Sequence, residues 1–253
     1  MNHNDIVRQS FKKQAEKFVA YHMSKVEYTD YLIQKIAATG EEHALEVAAG
    51  TCICGRALAP YVKDITCLDM TEEMLAQGIR LAEESHIENI YFQSGNAEKL
   101  PYEPETFDLV ITRLSFHHFD NPEKPFEEMK RVLKKGERWW SGIWKLPRSL
   151  YEKLMIRLKI CVILLIPESS AGKNLKKCSR KILHCNAEET TLVPVNLKSW
   201  MELTDTSEDV QEEITNLMKA ELEGGRKTGF SPYNKDSQIM FDHRWLLLIG
   251  VKK

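Results

Sequence analysis

The chain has 253 residues, 43% hydrophobic and 28% charged, with 35 basic side chains against 37 acidic ones. That length suffices for one sizeable core, the composition excludes collagen-like and disordered classes, and the near-neutral balance gives no global reason to expect nucleic acid. The charge is unevenly spread: Gly136–Ala187 holds 11 Lys/Arg against 3 Asp/Glu, which leaves the remainder acidic.

The opening stretch MNHNDIVRQSFKKQAEKF has no apolar h-region, so no secretory signal is expected. A cytoplasmic protein with reduced thiols at its six cysteines follows as the expectation. Ile6, Phe11, Ala15 and Phe18, then Tyr31, Leu32 and Ile36, recur at helical spacing, which predicts one or two amphipathic helices over 6–37. HALEVAAG (His43–Gly50) reads as a short buried strand ending in small residues, and Arg56–Val62 as a helix that Pro60 helps to close. DITCLDM (Asp64–Met70) is a second strand, followed by a helix over Thr71–Ser85 with Thr71 as N-cap and acids in its first turn. NIYFQSGNA (Asn89–Ala97) and FDLVITRLSFHHF (Phe107–Phe119) read as the third and fourth strands, NPEKPFEEMKRVLKKG (Asn121–Gly136) as a helix, and RWLLLIGVKK (Arg244–Lys253) as a last strand. Leu197–Phe230 is acidic and helical in pattern. Strands alternating with helices of this length imply a doubly wound α/β fold with a parallel sheet. No metal is expected, because Cys52-Ile-Cys54 has no His/Cys partner pair at ligand spacing. The longest apolar run, Ile160–Ile166, is far too short to span a bilayer, so no membrane partner is expected either.

In such a sheet, ligands lie beyond the carboxyl ends of the strands. Ala48-Ala49-Gly50-Thr51 follows the first strand, small residues that let backbone approach a ligand closely. Asp69 ends the second strand, a carboxylate placed for the hydroxyls of a ribose. Gly95-Asn96-Ala97-Glu98 ends the third, where Asn96 can read an adenine edge. Arg113-Leu114-Ser115-Phe116-His117-His118 ends the fourth and forms the lip of the expected pocket.

Taken jointly, these stretches resemble the class I S-adenosylmethionine-dependent methyltransferases, in the group that includes the quinone-biosynthesis C-methyltransferases. Glu46-Val47-Ala48-Ala49-Gly50-Thr51-Cys52 stands where that family has acid-x-G-x-G-x-G; LDMTEEML (Leu68–Leu75) resembles its second element and GNAEKLPY (Gly95–Tyr102) its G-D-A-x-x-L-P-F. FDLVITRLSFHHFDNPEKPFEEMKRVLKKG matches its fourth strand and following helix. The resemblance implies a mostly parallel, seven-stranded, Rossmann-like methyltransferase fold, one domain over 1–253 with an N-terminal helical cap at 1–38. It implies S-adenosyl-L-methionine as cofactor, with Glu46, Ala48, Gly50, Thr51, Asp69, Met70, Asn96, Ala97 and Arg113 holding it, Asp69 on the ribose and Met70 against the adenine. A small-molecule methyl acceptor is the implied partner. Two residues depart from the motif. Ala48 replaces the first glycine, a change that strand geometry tolerates. Cys52 replaces the third, where a side chain crowds the cofactor or is strained if φ is positive.

After RVLKKG the family continues L-K-P-G-G-K-V-V-V, whereas this chain gives GERWWSG and then the basic stretch. Read one base out of register, codons permitted from Lys135 onward can spell GGKVVV and then an acidic helix without a stop. Residues 136–186 are accordingly read as translated out of frame and expected to be poorly ordered, with Trp139 and Trp140 overpacking the fifth strand. A basic lid over an anionic substrate and an amphipathic helix on a membrane are the alternatives.

Methyl transfer from a sulfonium is an in-line displacement, in which the protein mainly aligns the acceptor and excludes water. An acidic acceptor needs a base, for which His117 and His118 are the candidates. The N-terminal helices, through Phe11, Phe18 and Tyr21, are expected to cover the acceptor site. The rival from another class is a non-catalytic protein of this fold whose cofactor binding Cys52 impairs. A nicotinamide-dependent oxidoreductase is disfavoured, because AAGTCICG lacks G-x-G-x-x-G spacing.

Overall fold

The structure is a computed structural model that describes residues 3–23, 26–145 and 183–252. Helices α1 (His3–Met23) and α2 (Val26–Ile36) precede β1 (His43–Val47), α3 (Ile53–Leu58), β2 (Asp64–Asp69), α4 (Glu72–Glu84) and β3 (Ile90–Ser94). Then come β4 (Phe107–Arg113), α5 (Glu123–Val132), β5 (Leu133–Lys145), β6 (Leu183–Asn196), α6 (Leu197–Leu203), α7 (Glu208–Leu222), β7 (Tyr233–Lys235) and β8 (Gln238–Lys252).

The sheet runs β3-β2-β1-β4-β5-β8-β6, with the short β7 hairpinned onto β8. The first five are mutually parallel, and β8 and β6 join antiparallel. The order reverses between β1 and β4, which opens a crevice at the carboxyl ends of β1, β2 and β4. The doubly wound, mostly parallel sheet expected from the sequence is therefore present.

Side-chain alternation divides the strands between two cores. Ala44, Ile65, Cys67, Leu109 and Ile111 face one side, under α1 to α4 and α6 to α7. Leu45, Val47, Leu68 and Val110 face the other, under Phe126, Met129 and Val132 of α5. A period of two explains why these strands read as continuous apolar runs: both faces are covered by helices.

Several element ends differ from the sequence reading, each for a local backbone reason. The first strand stops at Val47 because Ala48 turns left-handed (φ 53), and the fourth stops at Arg113 because Leu114 does the same (φ 52). The third strand stops at Ser94, after which Gly95 N–H donates to Asp69 O. The helix expected over Arg56–Val62 begins earlier, at Ile53, and gives way to a 3-10 turn at Ala59–Tyr61 containing Pro60. The helix expected to reach Gly136 ends at Val132, since Leu133 is already extended and pairs with Phe107 of β4. The last strand starts at Gln238 rather than Arg244 because it also carries the β7 hairpin.

Of the segment read as out of frame, 136–145 and 183–186 lie in β5 and β6. Trp139 takes the register place between Val110 and Gly250, and Trp140 that between Ile111 and Ile249. The remainder, 146–182, and the disorder expected there lie outside the described residues.

The contact of α3 with the sheet leaves no room for a side chain at Gly55. A Cβ there would fall on the Cys67 thiol and come within 2.9 Å of Glu46 Oε2. Gly55→Ala is expected to destabilise the protein by about 1–3 kcal/mol, by the cost of overpacking a filled core. Urea unfolding checks this; a change within about 0.5 kcal/mol, the scale of an ordinary surface substitution, contradicts it.

Candidate functional site

The crevice holds a cleft of roughly 1100 Å³, its open mouth included. It is built mostly from strand ends. Ala48, Ala49 and Gly50 come from the β1 turn, Asp69 and Met70 from β2, Gly95, Asn96 and Ala97 from β3, and Arg113, Leu114, Ser115 and His118 from β4 and its lip. Helices α1 and α6 then close it, through Val7, Phe11 and Phe18 of α1 and Leu203 of α6.

The β1 turn is the tightest piece. Ala48 (φ 53), Gly50 (φ 56) and Cys52 (φ 55) alternate in the left-handed region, and these are the three glycine positions of the motif. Only position 50 carries the residue for which that conformation is free of strain. Ala48 therefore does not sit in the strand geometry expected of it. The strain foreseen at Cys52 is present, but crowding of the cleft is not. Its thiol donates to Gly50 O at 3.6 Å and lies where α4 has Gly78, whose absent Cβ would be 2.7 Å from that sulfur. Cys52 is fully buried and is not among the lining residues.

Asp69 fixes this turn from across the strand boundary. Its Oδ2 accepts from Gly50 N–H at 2.8 Å and its Oδ1 from Thr71 N–H at 2.8 Å. Thr71 occupies the N-cap position of α4 without a capping bond from its own side chain. Burial pushes the Asp69 carboxyl above its ordinary range, opposed by the amides of Thr71 and Gly50. The Thr71 hydroxyl and the Met70 amide lower it as well, and the carboxyl is part of the cleft lining.

Glu46 lies deeper. Its Oε2 accepts Gly55 N–H at 2.7 Å, in the first turn of α3, and the Cys67 thiol at 3.6 Å. Burial raises it to about 7, against the lowering effects of Gly55, Cys67, Arg113 and Arg56. Around it, burial pushes the Cys54 and Cys67 thiols up as well, so these are packing groups rather than nucleophiles. The loop after β3 is held from α5: Glu128 Oε2 accepts Leu100 N–H at 2.8 Å, and Arg131 donates to the carbonyls of Tyr102 and Leu100 at 2.7 and 3.0 Å. Asn96 Oδ1 accepts Glu98 N–H at 2.8 Å, which turns the loop, and Asn96 is part of the cleft lining.

Of the residues foreseen from sequence, Glu46, Ala48, Gly50, Asp69, Met70, Asn96, Ala97, Arg113 and His118 converge on this one cleft. Thr51 does not: it is buried behind the turn and is not among the lining residues. His117 has its backbone in the 3-10 turn Phe116–His118, with its side chain outside the described residues, as is that of Tyr21. His118 is 9% exposed and meets the Phe11 ring edge-on at 4.8 Å. Sequence reading missed Asn4, Val7, Met74 and Leu203 as lining residues. Val7 carried a usable signal, since it shares the helical stripe of Phe11 and Phe18. Leu203 carried none, because only the fold brings α6 to the cleft.

Known proteins are similar to this chain in sequence and fold. A family model described as a methyltransferase domain matches residues 45–139. The uncharacterized methyltransferase YcgJ of Bacillus subtilis (strain 168) is 27% identical over 225 residues, covering 88% of this chain and 89% of that protein. Its crystal structure superposes with a TM-score of 0.73 at 25% identity, covering 89% of this chain and 97% of that one. A putative methyltransferase from Bacillus halodurans has the same fold, with a TM-score of 0.75 at 22% identity over 88% of this chain and 98% of its own. The demethylmenaquinone methyltransferase of Alkalihalophilus pseudofirmus is 34% identical over 98 residues, 38% of this chain and 42% of that enzyme.

Two stability measurements test the site. Ala48→Gly is expected to stabilise the protein by about 1 kcal/mol, the left-handed penalty of a residue with a Cβ; a loss of stability in urea shows that the turn is not left-handed there. Glu46, raised in the fold from 4.5 to about 7, binds its proton more tightly folded than unfolded. Its contribution is fully present below pH 4.5 and lost as pH rises through about 7. The wild type should therefore lose about 3 kcal/mol across that window relative to Glu46→Gln. Parallel pH curves for the two proteins contradict the burial assigned to this carboxyl.

Proposed function

We propose that this chain, a class I S-adenosylmethionine-dependent methyltransferase in sequence and fold, binds that cofactor in the strand-end cleft and methylates a small molecule held beneath α1. The observation that carries the reading is the Asp69 carboxylate, buried at the cleft with both oxygens on backbone amides. Cys52, which in the sequence argued for impaired binding, turns its sulfur toward Gly78, and this supports the enzymatic reading over a non-catalytic one.

The lining fits an adenosyl group with an amino-acid arm. Asp69 would take the ribose hydroxyls, Met70 and Ala97 the faces of the base, and Asn96 its polar edge. The backbone of Ala48, Ala49 and Gly50, near Glu46 and Arg113, would hold the charged arm. When bound, the cofactor supplies a methyl group already activated on a sulfonium. The remaining work falls to the protein: it orients the acceptor, excludes water and removes a proton. Phe11, Phe18 and Leu203 exclude water from the cleft. His118, seated against Phe11, takes the acceptor proton, with His117 as the second candidate on the same turn.

Calorimetry with S-adenosylhomocysteine tests the reading. The wild type is expected to bind, and Asp69→Ala to bind at least about tenfold more weakly, through the loss of a charge-assisted hydrogen bond. No heat with the wild type sinks the assignment. Once an acceptor is in hand, replacing both His117 and His118 with Ala should cut turnover by ~10²-fold or more, the usual worth of a positioned base. Intact turnover would remove that role from both residues.

A further inference from the structure

The half of the cleft away from the strand tips has a chemistry of its own. α1 presents Asn4, Val7, Phe11 and Phe18 to it, at spacings that place them along one helical stripe. The helix is basic elsewhere, and two of its cations are held at the rims: Lys12 Nζ lies 2.5 Å from Glu73 and Lys17 Nζ 2.8 Å from Asp205, while Arg8 and Lys13 are not among the lining residues. Leu114, Phe119 and Leu203 continue the apolar surface across the opening. Within it, Phe11 lies 5.5 Å from Phe18, and His118 meets Phe11 edge-on.

The ionisable side chains of the lining, His118 aside, are Glu46, Asp69 and Arg113, all on β1, β2 and β4. Arg113 acts on Glu46, whose carboxyl it draws downward against burial. Among the described lining residues, none on the α1 wall is cationic. An anion brought against Val7, Phe11 and Phe18 would lose its water and find no lysine or arginine on that wall, His118 being the titratable group that packs against Phe11. An uncharged apolar body would gain contact with Val7, Phe11 and Phe18 at no such cost.

We propose that this half of the cleft is an acceptor site selective for an uncharged, apolar molecule over its anionic counterparts, with the α1 stripe as the selecting element. The proposal takes the place of the cofactor from the methyl-transfer reading; the chemistry of the wall is independent of it. Lys12 and Lys17 do not reverse the selection, because their ion pairs hold them at the rims, and Arg8 and Lys13 do not line the cleft.

N-phenyl-1-naphthylamine and 8-anilino-1-naphthalenesulfonate share a skeleton and differ by one sulfonate, which makes them a matched pair of fluorescent probes. Each is titrated into the full chain saturated with S-adenosylhomocysteine, after calorimetry has established the saturation. The neutral probe should bind at least about tenfold tighter than the sulfonate, and Phe11→Ala should weaken it by about tenfold. Phe11→Lys should turn the preference toward the sulfonate, with Val7→Lys as a second route should Phe11→Lys not fold. Equal or tighter binding of the sulfonate by the wild type, or no binding of the neutral probe, overturns the proposal. Absence of S-adenosylhomocysteine binding counts against the methyl-transfer reading instead, and the probe pair is then compared on the free protein with the same two outcomes.

Discussion

One carboxylate organises the site. Asp69 ends β2 yet holds the turn that follows β1, through Gly50 N–H on one oxygen and Thr71 N–H on the other. A buried carboxylate would be costly without such donors. Those two amides would in turn be orphaned without it. The same interaction therefore orders the turn, starts α4 and sets a charged acceptor at the cleft. Three left-handed residues in five, two of them not glycine, persist because this clip and the burial of Cys52 under Gly78 over-determine the turn.

Around that clip, the layers differ in what holds them. Strand ends and helix starts are tied by short hydrogen bonds between buried or half-buried groups, such as Glu46 to Gly55 and Glu128 to Leu100. The roof is tied differently. Its ion pairs, Lys12–Glu73 and Lys17–Asp205, are exposed on both sides, and such pairs contribute little on their own. The buried side chains of Val7, Ala15 and Phe18 must supply most of what keeps α1 in place. The lining residues thus divide into a hydrogen-bonded set on strand tips and an apolar set on a helix held mainly by its own buried stripe.

Much of this was legible in the sequence, because parallel strands buried on both faces write apolar runs such as DITCLDM and FDLVITR, and because their ends carry polar or small residues. Asp69, Asn96 and Arg113 could be found that way. What could not be found depended on through-space packing. The backbone sign at Ala48 is set by the turn it must complete, and Ala alone gives no hint of it. The direction of Cys52 depends on Gly78, twenty-six residues on. Thr51 looked like part of the cradle because its neighbours are, but alternation in the turn sends it inward. Leu203 reaches the cleft only through the placement of α6 after the long β6, which no local pattern predicts.

The most direct measurement is a crystal structure of the protein with S-adenosylhomocysteine. The account predicts the ribose hydroxyls on the Asp69 carboxylate, the amino-acid arm over Ala48–Gly50, and the Cys52 sulfur still beneath Gly78. A ligand bound away from the β1 and β2 tips, or an Asp69 that keeps only its two backbone amides while the nucleoside lies beyond its reach, would contradict it.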